Sequence, residues 1–281
     1  MPQRIDTRPV KAQISQPLQC CKCKGEFANG GVLRGLKLGT NDPALVLRRC
    51  QPEVRYMKPL GIAALLLFTS ALLFGLIAED VTTGDRLTLV DVRVAEWLHL
   101  HASAGLTQCM LLVSWLHSTV AMTCYTGILS FLAFRKRLWR TLSMLALCML
   151  GGLLLNVLLK LAFHRARPHF PDPILTLTSY SFPSGHVAAT TIFYGLGVLW
   201  VFNRTHLLHW RVLAVVSAGL AILLVAFSRM LLGVHYLSDV IAAFAEGIAW
   251  LAICQIALAM FWRKASILPA SAEPDRAVPP P

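Results

Sequence analysis

Pro59 to Ala78 is a run of 20 residues without one charged side chain. Coiled as an α-helix, a run of that length crosses a hydrocarbon core of about 30 Å. Further charge-poor runs follow at roughly 119–134, 138–160, 185–203, 210–232 and 237–261. Lipid offers no partners for backbone N–H and C=O groups, so repeated spans of this kind specify helices. The sequence therefore predicts an all-α bundle of six transmembrane helices. One more apolar run, 105–117, is short and ends in Trp115, Leu116, His117 and Ser118, so it lies at the interface or extends the second span. With 56% of residues hydrophobic and 14% charged, against about 45–50% and 25% in soluble domains, an ordinary soluble protein is excluded.

The net charge of +12 is not a nucleic-acid signature, because the basic residues sit in short clusters between apolar runs rather than along one stripe. Arg135, Lys136, Arg137 and Arg140 crowd one connection, Arg204 and Arg211 the next on that side, and Arg263 with Lys264 follow the last span. Basic loops stay cytoplasmic, which predicts both termini inside. On the other side, Glu79 to Glu96 holds five acids against Arg86 and Arg93.

Three segments emerge. Residues 1–56 carry ten basic and four acidic residues and no run long enough to span, so they are expected to be disordered. Residues 57–264 form the membrane domain, and 265–281, ending in Pro279, Pro280 and Pro281, a disordered tail. Met57 stands directly before Lys58 and the first span; a start assigned too far upstream would give this pattern, as would a basic tail that binds anionic lipid. Cys20, Cys21, Cys23 and Cys50 lack the paired spacing of a zinc site. Cys109, Cys124, Cys148 and Cys254 lie singly in apolar stretches and read as small core residues. The seven tryptophans fall mostly near span ends, as interfacial anchors do.

Two loops on the outward side carry ionisable residues, which at a membrane face default to function. One runs from Lys160 through Arg165 and Arg167-Pro168 to Ser181, Pro183, Ser184, Gly185 and His186. The other runs from Ser228-Arg229 to His235 and Asp239. Lys160, Arg167 and Arg229 suit the nonbridging oxygens of a phosphate, arginine by its fork and lysine as a point charge. Ser184 and Gly185, opening a helix, add donors and the positive end of its dipole. His235 and Asp239 are four apart and share a helical face, so the carboxylate can hold Nδ1–H and leave Nε2 free to attack phosphorus. His186 would protonate the leaving alkoxide and then deprotonate water. No metal or other cofactor is called for.

In these residues the chain resembles the type 2 phosphatidic acid phosphatase (PAP2) superfamily, which includes vanadium haloperoxidases and glucose-6-phosphatase. Its three motifs read here as Lys160 followed after six residues by Arg167-Pro168; Pro183-Ser184-Gly185-His186; and Ser228-Arg229, then His235 after five residues and Asp239 after three more. The resemblance covers about 59–262. It implies a PAP2/haloperoxidase-like helical core with phosphate held by Lys160, Arg167, Ser184, Gly185 and Arg229, His186 as general acid, and His235 forming a phosphohistidine oriented by Asp239. It further implies a metal-independent lipid phosphate phosphatase in a bacterial plasma membrane, with its site facing the periplasm or exterior. Phosphatidic acid, phosphatidylglycerol phosphate and undecaprenyl diphosphate are the open substrates. A lipid phosphotransferase using an alcohol acceptor shares the same motifs, and a non-catalytic anion transporter is a third reading. Arg165 is either a second phosphate contact or a loop charge. His164 and His169 match no motif position and read as headgroup-facing. Asn156 and Glu246 need a helix-to-helix hydrogen bond or a wet cleft, and Glu246 lies about two turns beyond Asp239 on the same face.

Overall fold

The computed structural model describes the backbone of residues 43–267 and the side chains of residues 60–261. The segments expected to be disordered and the four-cysteine cluster therefore fall largely or wholly outside the described side chains. The chain divides into two units, 1–51 and 52–281, and the second carries everything below. The regular elements among the described residues are all helices: α1 (Pro43–Thr83), α2 (Arg86–Leu100), α3 (Ala104–Leu116), α4 (Thr119–Arg135), α5 (Trp139–Phe163), α6 (Gly185–Arg204), α7 (Leu208–Leu231) and α8 (Leu237–Ile267).

Among the described residues five helices are long and apolar enough to cross a membrane, and α3 with α4 makes a sixth span if the bent pair is counted as one. The bend is 41° at His117–Ser118, where Ser118 caps α4 by accepting a hydrogen bond from the Ala121 N–H at 3.2 Å. The apolar run 105–117 is thus a helix continuous with the second span except at this break. α2 has 15 residues, roughly 22 Å at 1.5 Å per residue, and is too short to span.

The outer surface is what lipid requires: leucine, isoleucine, valine and phenylalanine side chains stand exposed along α1, α4, α5 and α7. Only 17% of the most apolar stretch of the α1 span is buried, against 50% for α8, so α8 is the central helix. α6 packs against α5, α7 and α8. Water does not drive helices together inside a bilayer, and association depends on close backbone approach at small residues. α8 supplies Ala242, Ala243, Ala245 and Gly247, and α6 supplies Ala188, Thr190 and Thr191. A Cβ on Gly247 would sit 2.7 Å from Thr191 Cγ2 and 3.3 Å from the Ala188 carbonyl oxygen.

Two residue types depart from the sequence expectation. Trp250 is no end anchor: its ring lies against Gly151 and Gly152 of α5, and its Nε1–H donates to the Cys148 carbonyl at 3.0 Å. The other tryptophans with described side chains, such as Trp97, Trp115 and Trp200, are exposed. Cys148 and Cys254 are buried in one cluster, but Cys109 and Cys124 are exposed on the apolar surface, because a small apolar residue costs nothing against lipid.

Candidate active site

α5 to α8 alternate in direction, so the loop 164–184 between α5 and α6 and the loop 232–236 between α7 and α8 share one end of the bundle. The two are stitched together: Ser184 N–H donates to the Asp239 carbonyl at 3.2 Å, and Arg167 Nη1 donates to the Val234 carbonyl at 2.6 Å.

The geometry of the second loop follows from how α7 ends. Gly233 N–H bonds the Met230 carbonyl at 2.9 Å and Val234 N–H the Arg229 carbonyl at 3.3 Å, the paired bonds of a Schellman stop. That stop needs a left-handed residue, and Gly233 supplies φ +69° with Phe170 packed against it. The chain then delivers His235 two residues before α8, whose first turn carries Asp239, where a carboxylate meets the positive end of the helix.

His235 and Asp239 are both buried. Nδ1 of His235 lies 3.3 Å from Oδ2 of Asp239, and Nε2 lies 3.2 Å from Nη1 of Arg167. A guanidinium can only donate, so Nε2 carries the lone pair and Nδ1 the proton. Burial pushes the imidazole down to about 3 against the opposing pull of Asp239. The contact is therefore a hydrogen bond from a neutral ring to a carboxylate rather than an ion pair. Asp239 Oδ2 also accepts from Ser181 Oγ and from the Tyr236 N–H at 2.9 Å.

Lys160, at the end of α5, donates to the carbonyls of Tyr180 at 2.8 Å and Ser181 at 3.3 Å. Arg167 shares the Tyr180 carbonyl at 3.1 Å and adds Ser179 through Nε at 2.7 Å and Nη2 at 2.9 Å. Burial lowers the Arg167 pKa, and Asp239 only partly restores it. Arg229 donates through Nη1 to Ser114 Oγ of α3, while its Nε is buried with no partner. Ser184 Oγ is likewise buried and unpartnered at the head of α6, with Gly185 and His186 following it. Among the described residues none of Lys160, Arg167 and Arg229 forms an ion pair. Three cations without ion-pair partners, set beside two buried donors without hydrogen-bond partners, suit an anion, since buried polar groups left without partners are costly unless a ligand completes them.

All eight residues read from the sequence as site residues lie in this one region. His169 is exposed, and His164 ends α5 in a left-handed conformation with its ring edge-on to Tyr180. Asn156 Nδ2 donates to Glu246 Oε2 at 2.9 Å across α5 and α8, the first of the two arrangements the sequence allowed. Arg165 is not a loop charge facing headgroups. Its guanidinium bridges Asp239 Oδ1 at 2.6 Å and Asp91 Oδ2 at 2.7 Å. Although burial alone would lower its pKa, the two carboxylates raise it. Sequence reasoning missed Asp91 and Ser114 and gave Ser181, though it lies in the same loop, no role. For Asp91 a signal existed: Asp91, Ala95 and Leu98 form the buried stripe of α2, at i, i+4, i+7 spacing.

The sequence profile of the PAP2 superfamily matches residues 138–263. Phosphatidylglycerophosphatase B of Bacillus subtilis (strain 168) is 32% identical over 146 residues, covering 48% of this chain and 71% of the relative. The chain belongs to the PAP2 superfamily. The crystal structure of a transmembrane PAP2-type phosphatidylglycerolphosphate phosphatase from Bacillus subtilis superposes with a TM-score of 0.61 at 25% identity, over 71% of this chain and 96% of that one. Aquifex aeolicus LpxE gives a TM-score of 0.47 at 20% identity over 59% and 94%. By its apolar helices and its likeness to the Bacillus subtilis relatives, this PAP2 protein is an integral membrane lipid phosphatase. Among the described residues of the PAP2 fold here, no group of three or more His, Cys, Asp or Glu side chains is disposed to hold a metal.

Proposed function

We propose that the enzyme hydrolyses the phosphomonoester of a glycerophospholipid, with phosphatidylglycerol phosphate the leading substrate by likeness to the Bacillus subtilis relatives, through a phosphohistidine on His235. The observation that carries this reading is the state of His235: neutral, its Nδ1 proton against Asp239, and its Nε2 lone pair 3.2 Å from a cation. Lys160, Arg167 and Arg229 take the nonbridging oxygens, with Ser184 Oγ, the Gly185 N–H and the start of α6 completing the cradle. Nε2 attacks phosphorus while the P–O bond to the lipid breaks, and His186 hands its proton to the departing alkoxide. His186 then takes a proton from water, whose oxygen displaces the imidazole and releases inorganic phosphate. No step requires a metal.

The site faces away from the cytoplasm. Arg135, Arg204 and Arg211 lie at the opposite end of the bundle over Phe131, Trp200 and Phe202, as basic residues do at a cytoplasmic interface. Phosphate release by the purified protein from phosphatidylglycerol phosphate, phosphatidic acid and undecaprenyl diphosphate, in excess chelator, tests the reading. The expected result is chelator-insensitive release, fastest from phosphatidylglycerol phosphate. Absence of release from all three, or phosphoryl transfer to added glycerol in place of water, would overturn hydrolysis.

A further inference from the structure

Asp239 is held by more than its histidine. Its Oδ1 is taken by Arg165 Nη1 at 2.6 Å, and the same Nη1 reaches Ser238 Oγ at 2.6 Å. Arg165 Nη2 is taken by Asp91 Oδ2 at 2.7 Å, and the guanidinium carbon lies 4.5 Å above the Tyr236 ring. Asp91 Oδ1 in turn accepts the Ser238 N–H at 2.9 Å, and its Oδ2 the Ser238 hydroxyl. Asp91, on α2, therefore does two things from outside α8: it satisfies a free N–H of the first turn of α8, and it anchors the arginine that grips Asp239. Asp91, Ser238 and Asp239 are fully buried.

An arginine whose fork already joins two carboxylates has little charge left for a phosphate. What it does instead is fix the plane of the Asp239 carboxylate and offset its charge. A carboxylate so held keeps Oδ2 aimed at Nδ1 and is a weaker base, so the proton stays on the ring and the lone pair stays on Nε2. We propose that Arg165 and Asp91 are positioning residues for the His235–Asp239 pair, acting on the chemical step and not on phosphate binding. This rests on His235 being the nucleophile.

The test uses the full-length protein in detergent with dioctanoyl phosphatidic acid as substrate and inorganic phosphate as competitive inhibitor. Arg165→Lys keeps the charge but cannot span two carboxylates, and Asp91→Asn keeps the shape but loses the charge. For both, kcat should fall about 10- to 100-fold, with KM and the inhibition constant for phosphate each within about threefold of wild type. Arg167→Lys, run beside them, should instead raise both constants. If Arg165→Lys raises KM and weakens phosphate inhibition as Arg167→Lys does, Arg165 is a phosphate ligand and the inference is wrong. It is also wrong if both variants keep wild-type kcat. Melting in detergent separates a fold defect, and should Arg165→Lys not fold, Asp91→Asn decides by the same ratios. His235→Ala serves as the separate control: its activity would overturn the nucleophile, whatever the two positioning variants do.

Discussion

His235 is set apart from a surface histidine by its burial. Its folded value, about 3, lies below the ordinary 6.5. Between those limits the unfolded chain binds a proton that the folded one does not, so stability declines as pH falls through that window. Thermal unfolding in detergent should show a midpoint that drops from pH 7 to pH 5, and His235→Ala should flatten that drop; an equally steep variant would mean that other groups set it. The same neutrality keeps the nucleophile available at mildly acidic pH, so an acid limb of kcat/KM near 6.5 would belong to another group. His235→Ala should leave no measurable turnover with the fold retained. Asp239→Asn should lower kcat by about three to four orders of magnitude, by losing tautomer control and charge together. The motif side chains were legible because each motif holds its members within a few residues of one another. The α2 stripe could have shown that Asp91 is buried, but its pairing with Ser238 and that of Ser114 with Arg229 were not legible, because those partners lie 147 and 115 positions away and no local pattern records such a pairing.

The helices were legible for a related reason: charge-free length maps directly onto span. The break at His117–Ser118 was harder to read, since the apolar run on either side fits one bent span or two short helices equally well. Local turns make sharper predictions. Gly233→Ala should destabilise the protein by about 1–2 kcal/mol from the left-handed backbone alone, with Phe170 3.1 Å from the new Cβ adding to it. Because this stop places His235, kcat should fall further than the melting shift accounts for, as urea or thermal titration beside steady-state kinetics would show. Gly247→Ala, at the crossing of α6 and α8, should cost about 1–3 kcal/mol by overpacking, and wild-type melting there would contradict the close approach. Orientation is read element by element. In a cysteine-free background, single cysteines at Asp172 and within 79–96 should react with an impermeant thiol reagent in intact cells, and one at Lys136 should not; the reverse pattern inverts the topology.

At the level of the whole molecule, the sequence divided the chain into a basic N-terminal segment, a membrane domain and a tail. A chain beginning at Met57 should insert and turn over as well as the full protein, and loss of activity on that truncation would show that residues 1–56 contribute. What the sequence could not convey was that the first half reaches the candidate site. The PAP2 profile begins at residue 138, yet Asp91 and Ser114, both buried, reach from α2 and α3 to Arg165 and Arg229. The matched stretch is therefore not a portable cartridge. A chimera that seats residues 138–263 beneath the first helices of another membrane protein would inherit every motif residue and still lack a carboxylate opposite Arg165. Transplanting the activity means transplanting α2 and α3 with it.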